Sequence, residues 1–408
     1  MAVMEKMLCF CEGAGRVNVV LLALLAFALP LSTSVVSVLA VLILVLWLVE
    51  GRFTEKFVEI FNNPVAVSVL LFLFVLVLGL FWSPDVWAGL EVLRHHWMLM
   101  LMPVFLTVIN RTRRKLYRNF FLAGLITAML ITFLVWFGLI QYSDVTPTHL
   151  TRKTFHVVYN PLLALGIYLV LHEAIWGVRQ TVYRFTLFTL AGVMTFNMFI
   201  TEGRTGQLVF FVLMGLLLCQ VFGKYRVKAF VAICILLPLT FTVGYTCSPV
   251  FKQRVDIACR EVRQFRENPN TSVGMRLLFW QNSWEIVQQH PWLGVGTGGF
   301  RAAYAEVNRE KSPSSVATDN PHNQYVLVMT MLGIPGILAL LLIFAVAFQQ
   351  AAALEDEWKR IRYAFLIFFL VIMFFATYLT VFETGFTFSL FMAILYTGKS
   401  FRINGNDK

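Results

Sequence analysis

The sequence has little charge, since only 13% of its 408 residues are Asp, Glu, Lys or Arg, whereas 59% are hydrophobic and the mean hydropathy is +0.74. A chain of this composition cannot cover itself with a water-compatible surface, which excludes an ordinary soluble protein. Apolar runs of about 15 to 25 residues recur along nearly the whole length, and each can span a bilayer when tilted or kinked. We therefore predict an all-α polytopic membrane protein.

Motifs for metals, nucleotides and nucleic acids are also missing. The sequence has no Asp-x-Asp pair and no His-Glu-x-x-His motif, His95 and His96 diverge on a helix, and Cys9 and Cys11 lack further ligands nearby. The glycine turn at 294–299 has no preceding strand and no Lys-Ser or Lys-Thr, so we expect close helix packing there rather than phosphate binding. The net charge of +11 is divided between two membrane faces. We expect no metal, no cofactor and no nucleic acid.

Cysteine is scarce, with six residues, and only Cys247 and Cys259 share the one long polar segment of the chain. An oxidising compartment would permit a disulfide between them, and the sequence leaves that pairing open.

Charge orients the predicted helices, because short loops rich in Lys and Arg stay in the cytoplasm. With both termini inside, the inner loops and the two termini together carry 20 of the 33 basic residues. Nine of the other 13 lie between Cys247 and His322, in a loop too long to act as a topology signal. We predict about twelve spans at residues 17–31, 34–49, 64–82, 97–110, 119–141, 157–176, 185–201, 207–222, 229–246, 323–349, 363–380 and 384–398.

The predicted organisation is nine spans in residues 1–246, an outer loop at 247–322, three spans in 323–398 and an inner tail at 399–408. Short helices are predicted within the loop at 251–267, 273–289 and 301–310. On the second of these, one face carries Arg276, Trp280, Ser283 and Val287. A loop of this length is usually functional.

His322 lies where the polar loop enters the apolar run PHNQYVLVMTMLGIPG. Asn320 suits the N-cap and Pro321 the first helical position, which puts His322 at the second position. The positive end of the helix dipole opposes protonation there. A neutral imidazole at a membrane surface can accept a proton from a hydroxyl. The alternative is a capping or packing histidine.

Arginine side chains are also predicted at the outer boundary. Arg204 lies in the very short turn TEGRTGQ, and Arg276 lies on the loop helix. An arginine at this depth needs an anion or a carboxylate, and Glu202 is the carboxylate alternative for Arg204. The guanidinium fork binds phosphate oxygens in pairs. Two arginines and a neutral histidine at one interface suit a diphosphate lipid whose head group is transferred.

These segments resemble the signature of a known family. TEGRTGQ, MRLLFWQNSWEIVQQHPWLGVGTGGF and PHNQYVLVMTMLGIPG are similar to motifs of the O-antigen ligase and O-antigen polymerase superfamily, and FHVVYNPLLAL is similar to one of its helices. The resemblance covers the whole chain by topology and a small part of it by motif. It implies a metal-independent glycosyltransferase of the lipid-donor (GT-C-like) architecture in the bacterial inner membrane, with a periplasmic site.

The resemblance also implies the reactants. The donor would be a glycan on undecaprenyl diphosphate and the acceptor a sugar hydroxyl of lipid A-core, among membrane lipids. Arg204 and Arg276 would grip the diphosphate, and His322 would orient or deprotonate the acceptor hydroxyl, with inversion at the anomeric carbon. The predicted substrate-binding residues are Arg204, Arg276, Arg152, Lys153, Asn323 and Trp280.

Two alternatives remain open at this point. We favour a ligase over a polymerase because the chain is compact, has one dominant outer loop and carries the Pro-His-Asn-Gln-Tyr sequence. A transporter, from a different class, would place ionisable residues near the bilayer midplane. In this sequence the candidate functional charges lie at the outer boundary of the membrane, which favours the glycosyltransferase over a transporter.

Overall fold

The computed structural model describes residues 2–141, 150, 156–177, 179–265 and 267–398, and all regular structure in these ranges is helical. The α-helices of this part of the chain are α1 (Ala2–Ala28), α2 (Thr33–Glu50), α3 (Phe53–Phe61), α4 (Pro64–Leu78), α5 (Val86–His95), α6 (Trp97–Val108), α7 (Arg114–Trp136), α8 (His156–His172), α9 (Thr181–Ile200), α10 (Arg204–Phe222), α11 (Arg226–Cys247), α12 (Pro249–Arg263), α13 (Ser272–Gln289), α14 (Phe300–Lys311), α15 (Gln324–Ala353), α16 (Lys359–Ile372) and α17 (Phe382–Tyr396).

Six of the described helical segments are long and apolar enough to cross a membrane, and they contain α2, α7, α8, α10, α11 and α15. A seventh is obtained if α3 and α4, which meet at 90°, count as one broken span. The other predicted spans overlap with α1, α6, α9, α16 and α17. The all-helical membrane protein is confirmed, while the number twelve and the lipid-donor architecture remain predictions.

Basic segments meet at one end of the bundle, which we call the basic face. Asp356 accepts hydrogen bonds from both terminal nitrogens of the fully buried Arg362, at 2.6 and 2.8 Å, and from Arg114 at 3.2 Å. The guanidinium groups avoid the cost of a buried unpaired charge because they share this carboxylate. The helix α15 ends near Asp356 and begins at the segment 247–322. That segment therefore lies at the opposite end, which we call the loop face.

The helix α15 is broken near the loop face. Gly333 has φ 58° and ψ −148°, and Pro335 follows two residues later without an N–H group. In an unbroken helix, the N–H groups of residues 334 and 335 would bond to the carbonyls of Thr330 and Met331. The break leaves both carbonyls without their helical donors.

The glycine turn of the loop supplies the missing partners. Val295 N donates to Thr330 O at 3.0 Å, and Gly296 N donates to Met331 O at 2.8 Å. In return, Ile334 N donates to Pro291 O at 3.0 Å. A membrane helix cannot leave backbone groups unpaired, so the turn and the break form one hydrogen-bonded unit.

The turn can approach this closely because its glycines lack side chains. Gly294 and Gly296 have φ of 66° and 87°, and a Cβ atom on Gly296 would lie 2.5 Å from the Cα atom of Ser83. A Cβ atom on Gly298 would lie 2.1 Å from the carbonyl oxygen of Asp85. The expectation that these glycines serve close packing is confirmed.

We expect Gly296→Ala to lower the free energy of unfolding by at least about 1 kcal/mol, because the side chain clashes and the positive φ is strained. The measurement is Tm in detergent. The matched control is Gly192→Ala in α9, where a Cβ atom meets nothing within 4 Å. This control should leave Tm unchanged or raise it, because alanine favours helix over glycine. Equal effects of the two substitutions would contradict the packing argument.

Candidate active site

The first arginine of the site is held by a tight turn between α9 and α10. Thr201 Oγ1 donates to Asn160 Oδ1 at 2.8 Å, and Gln207 Nε2 donates to Thr201 O at 3.3 Å. Glycine at positions 203 and 206 allows Asn160 to fit against the turn, because a Cβ atom at either position would lie within 2.6 Å of that side chain or its backbone. The turn thereby fixes Arg204, the first residue of α10, at the loop face.

Arg204 opens onto a cavity of about 110 Å³, which we call the arginine cavity. Its wall includes Arg276 of α13 and Arg254 of α12, so three guanidinium groups from three helices converge there. The first residues of α10 and of α13 also line it. Helix N-termini carry unpaired N–H groups and partial positive charge, and they favour anions. The arrangement is suited to a multiply charged anion such as a diphosphate.

Two carboxylates hold two of the arginines. Glu261 Oε2 lies 3.4 Å from Arg204 Nη1 and also accepts from Val273 N at 3.1 Å. Glu202 forms an ion pair with Arg254. The alternative partner considered for Arg204, Glu202, is therefore wrong: Glu261, 57 residues further along the chain, holds Arg204. The helix α12 carries both Arg254 and Glu261, and its packing across the turn places each opposite a partner of the other sign.

Arg276 differs from these two arginines, since it forms no ion pair within the part of the chain that the structure describes. Burial lowers its pKa from the usual value, and the neighbouring Arg204 lowers it further, whereas Tyr378 and Glu261 oppose the shift. A guanidinium remains protonated under such conditions. Arg276 is thus a partly buried cation in the wall of the arginine cavity, and none of the described carboxylates forms an ion pair with it.

His322 does not lie at the second position of a helix, as the sequence predicted. The helix begins at Gln324, and Asn323 is its N-cap, with Oδ1 accepting from the N–H groups of Tyr325 and Val326. Asn320 Oδ1 instead accepts from His322 N at 2.8 Å, and His322 has φ 52°. Asn320 stabilises this turn, so Asn323 is left to cap the helix. His322 precedes the helix yet remains next to its positive end.

The surroundings of His322 lower the pKa of its imidazole. Its ring stacks on Phe279 of α13 at 6.3 Å between centroids. Partial burial lowers its pKa below the usual value, Arg276 lowers it further, and Asp319 opposes the shift. Neither ring nitrogen bonds to another described residue. An imidazole with a lowered pKa therefore lies near Arg276, which forms no ion pair with a described residue.

Of the other four predicted substrate-binding residues, two lie in the described part of the chain. Trp280 Nε1 donates to Pro321 O at 3.0 Å, so this side chain braces the segment before His322. Asn323 is 4% exposed and occupied as a helix cap. A substrate contact for either residue stays a prediction. Arg152 and Lys153 lie outside the described residues.

Cys247 and Cys259, whose pairing the sequence leaves open, are both exposed free thiols. Among the described residues, no group of three or more His, Cys, Asp or Glu side chains could hold a metal ion.

Sequence reasoning missed Arg254 and Tyr378. Tyr378 lines the arginine cavity from the segment between α16 and α17, and its hydroxyl donates to Val157 O at 3.0 Å. A signal for Arg254 exists in the sequence, because it lies three residues after the buried Phe251 and therefore on the packed side of α12. Nothing local marks Tyr378, which the packing of distant segments brings to the cavity.

A comparison with protein families gives a match over the same region. A family model described as O-antigen ligase matches residues 187–341, a range that begins in α9, ends in α15 and contains Arg204, Arg276 and His322. The match confirms the resemblance to the O-antigen ligase superfamily. No curated protein matches the chain.

Proposed function

We propose that this chain, whose residues 187–341 carry an O-antigen ligase domain, is a metal-independent glycosyltransferase of the bacterial inner membrane. It transfers a glycan from undecaprenyl diphosphate to a sugar hydroxyl of lipid A-core, and its active site is periplasmic. One observation carries the proposal: Arg204, Arg254 and Arg276 converge on one cavity, and the neutral His322 lies beside Arg276.

The chemistry follows from this arrangement. The acceptor oxygen attacks the anomeric carbon while the bond from that carbon to the diphosphate oxygen breaks. Arg204 and Arg276 stabilise the negative charge that develops on the departing diphosphate, which makes a separate general acid unnecessary. The proton of the acceptor hydroxyl passes to the unprotonated nitrogen of His322. Attack from the side opposite the diphosphate inverts the anomeric configuration.

The ion pairs of the arginine cavity prepare it for this anion. Glu261 and Glu202 keep Arg204 and Arg254 in place before the donor binds. The separation of 3.4 Å between Arg204 and Glu261 is long for a charge-assisted hydrogen bond, which usually measures about 2.7–2.9 Å. A diphosphate can therefore take over the guanidinium without breaking a tight pair.

The glycan profile of a strain that lacks its own copy tests the proposed function. Expression of the wild-type chain should restore long glycans on lipid A-core, whereas the empty vector should leave lipid A-core bare and the polymer on its lipid carrier. Single-unit glycans on lipid A-core in the empty-vector strain would instead identify a polymerase. A normal profile, together with uptake of a labelled solute by vesicles containing the purified protein, would identify a transporter.

The pH dependence of kcat/KM tests the neutral histidine. The ordinary imidazole pKa is 6.5, and burial with Arg276 lowers the pKa of His322 while Asp319 opposes the shift. The active, unprotonated form is lost as pH falls through the folded pKa, so the acid limb should lie below pH 6.5. At pH 6.5 the wild type should keep more than half of its maximal kcat/KM. Half-maximal activity at a higher pH would contradict a role for this imidazole as the base.

A further inference from the structure

A second cavity, of about 260 Å³, opens at the loop face and is lined by Asp319 and Asn320, which shortly precede His322. Its wall combines α5, the start of α14, the loop residues Asp319 and Asn320, and the N-terminal part of α15. We call it the α5 cavity. Sites for drug-sized ligands measure roughly 300–1,000 Å³, so this volume suits one small polar ring or part of one.

The wall of the α5 cavity includes a buried histidine with a ring nitrogen that lacks a partner among the described residues. His96 is fully buried, and its Nδ1 lies 2.8 Å from the carbonyl oxygen of Val92. A carbonyl only accepts hydrogen bonds, so Nδ1 carries the proton and Nε2 of the neutral ring is an acceptor. Nε2 bonds to no described residue. Such an atom costs free energy unless a ligand or water donates to it.

Charged side chains of both signs surround the same cavity. Arg301 at the start of α14 and Asp319 both line it, and neither forms an ion pair within the described residues. Asn320 also lines it, and its amide links the N–H of His322 to Thr377, at 2.8 and 2.9 Å. Phe300, Leu327 and Met331 add an apolar surface. Donors, acceptors and an apolar surface together match a sugar ring, whose hydroxyls donate and accept and whose C–H groups are apolar.

The position of the α5 cavity relative to the arginine cavity indicates whether the donor sugar or the acceptor sugar would bind there. The arginine cavity and the α5 cavity share the segment between α16 and α17, which gives Tyr378 to the first and Thr380 to the second. Asp319 and Asn320 line the α5 cavity, and Arg276, whose charge acts on His322, lines the arginine cavity, so His322 lies between the two groups of residues. If the diphosphate leaves toward the arginines, in-line attack brings the acceptor from the opposite side.

We propose that the α5 cavity is the subsite for the acceptor sugar, and that His96 Nε2, Arg301 and Asp319 hold its hydroxyls next to His322. This inference rests on the proposed function. His96 and Arg301 act here as binding and positioning residues, because neither lies at the departing diphosphate.

The test is steady-state transfer by the purified full-length protein, with lipid A-core from a strain that makes no O-antigen and with an undecaprenyl-diphosphate-linked glycan. Arg301→Gln should raise the KM for lipid A-core about tenfold, the loss expected for a hydrogen bond to a charged group, and leave the donor KM unchanged. His96→Ala should do the same. The matched control is Arg309→Gln on the same helix, where the side chain is exposed and outside the cavity.

The outcomes separate the two proposals. A wild-type protein that transfers nothing would overturn the proposed function itself. Normal wild-type transfer with an unchanged acceptor KM in Arg301→Gln would overturn the acceptor subsite alone, as would a rise confined to the donor KM, which would assign the cavity to the donor glycan. If His96→Ala fails to fold, as judged by Tm, Arg301→Gln decides, because Arg301 is exposed.

Discussion

His322→Ala is expected to lower the rate of glycan transfer by about 10²–10⁴-fold, the usual contribution of a positioned general base. Burial and the neighbouring Arg276 lower the pKa of the imidazole, which favours its unprotonated form, and it lies just before the positive end of α15. Alanine removes the proton acceptor but leaves Asn323, which caps that helix, in place. In cells, lipid A-core should remain bare, and polymer of unchanged length should accumulate on the lipid carrier.

A second histidine of the same loop provides the control. His290, at the end of α13, is exposed and lines neither cavity. His290→Ala should transfer glycan at the wild-type rate. If His322→Ala also kept the wild-type rate, the base assignment would be wrong. Shortened or single-unit chains in the His322 variant would point to a polymerase rather than a ligase.

Arg276→Ala is expected to lower kcat by about 10²–10³-fold, as the loss of one preorganised donor to a developing anion typically does. Arg276 forms no ion pair with a described side chain, so its guanidinium is available to the diphosphate. Arg276→Lys should recover little activity, because an ammonium group keeps the charge but cannot present two parallel N–H donors. The measurement is single-turnover release of undecaprenyl diphosphate, which follows the bond that breaks.

The control for Arg276→Lys is Arg260→Lys on α12, an exposed arginine of the same loop. It should retain full activity, which separates the local effect from the charge of the loop as a whole. Full activity of Arg276→Lys would contradict the argument from paired hydrogen bonds. Arg254→Lys should give an intermediate loss, because Glu202 already holds that side chain.

Much of the fold could be predicted because a segment that spans the membrane must be apolar and helical. The length of an apolar run sets the length of a helix, and the helices α2, α10 and α11 begin and end within a few residues of the predicted spans. The three short helices of the loop also occur where charge and periodicity place them. The break in α15 could be suspected from Pro335. Its hydrogen-bond partners could not, since they lie about 40 residues earlier, in the glycine turn.

The site was less predictable where local rules compete. Asn320 and Asn323 are both good N-caps, and only the turn at His322 decides between them. Glu202 is the carboxylate nearest to Arg204 in sequence, yet the packing of α12 brings Glu261 to Arg204 instead. Sequence proximity is a poor guide here because a buried ion pair is selected by the packing of whole helices. The three residues from the motifs nevertheless belong to one region of the loop face.

The exchange of hydrogen bonds between the glycine turn and the broken α15 also bears on biogenesis. Residues 291–296 are synthesised before Thr330 and Met331, so these hydrogen bonds can form only once the chain has been made as far as α15. The last backbone contacts of the turn at the loop face therefore form late in synthesis. A nascent chain that stalled before α15 could still form the bond from Thr297 N to Gly79 O, at 3.0 Å, and would lack those to Thr330 and Met331.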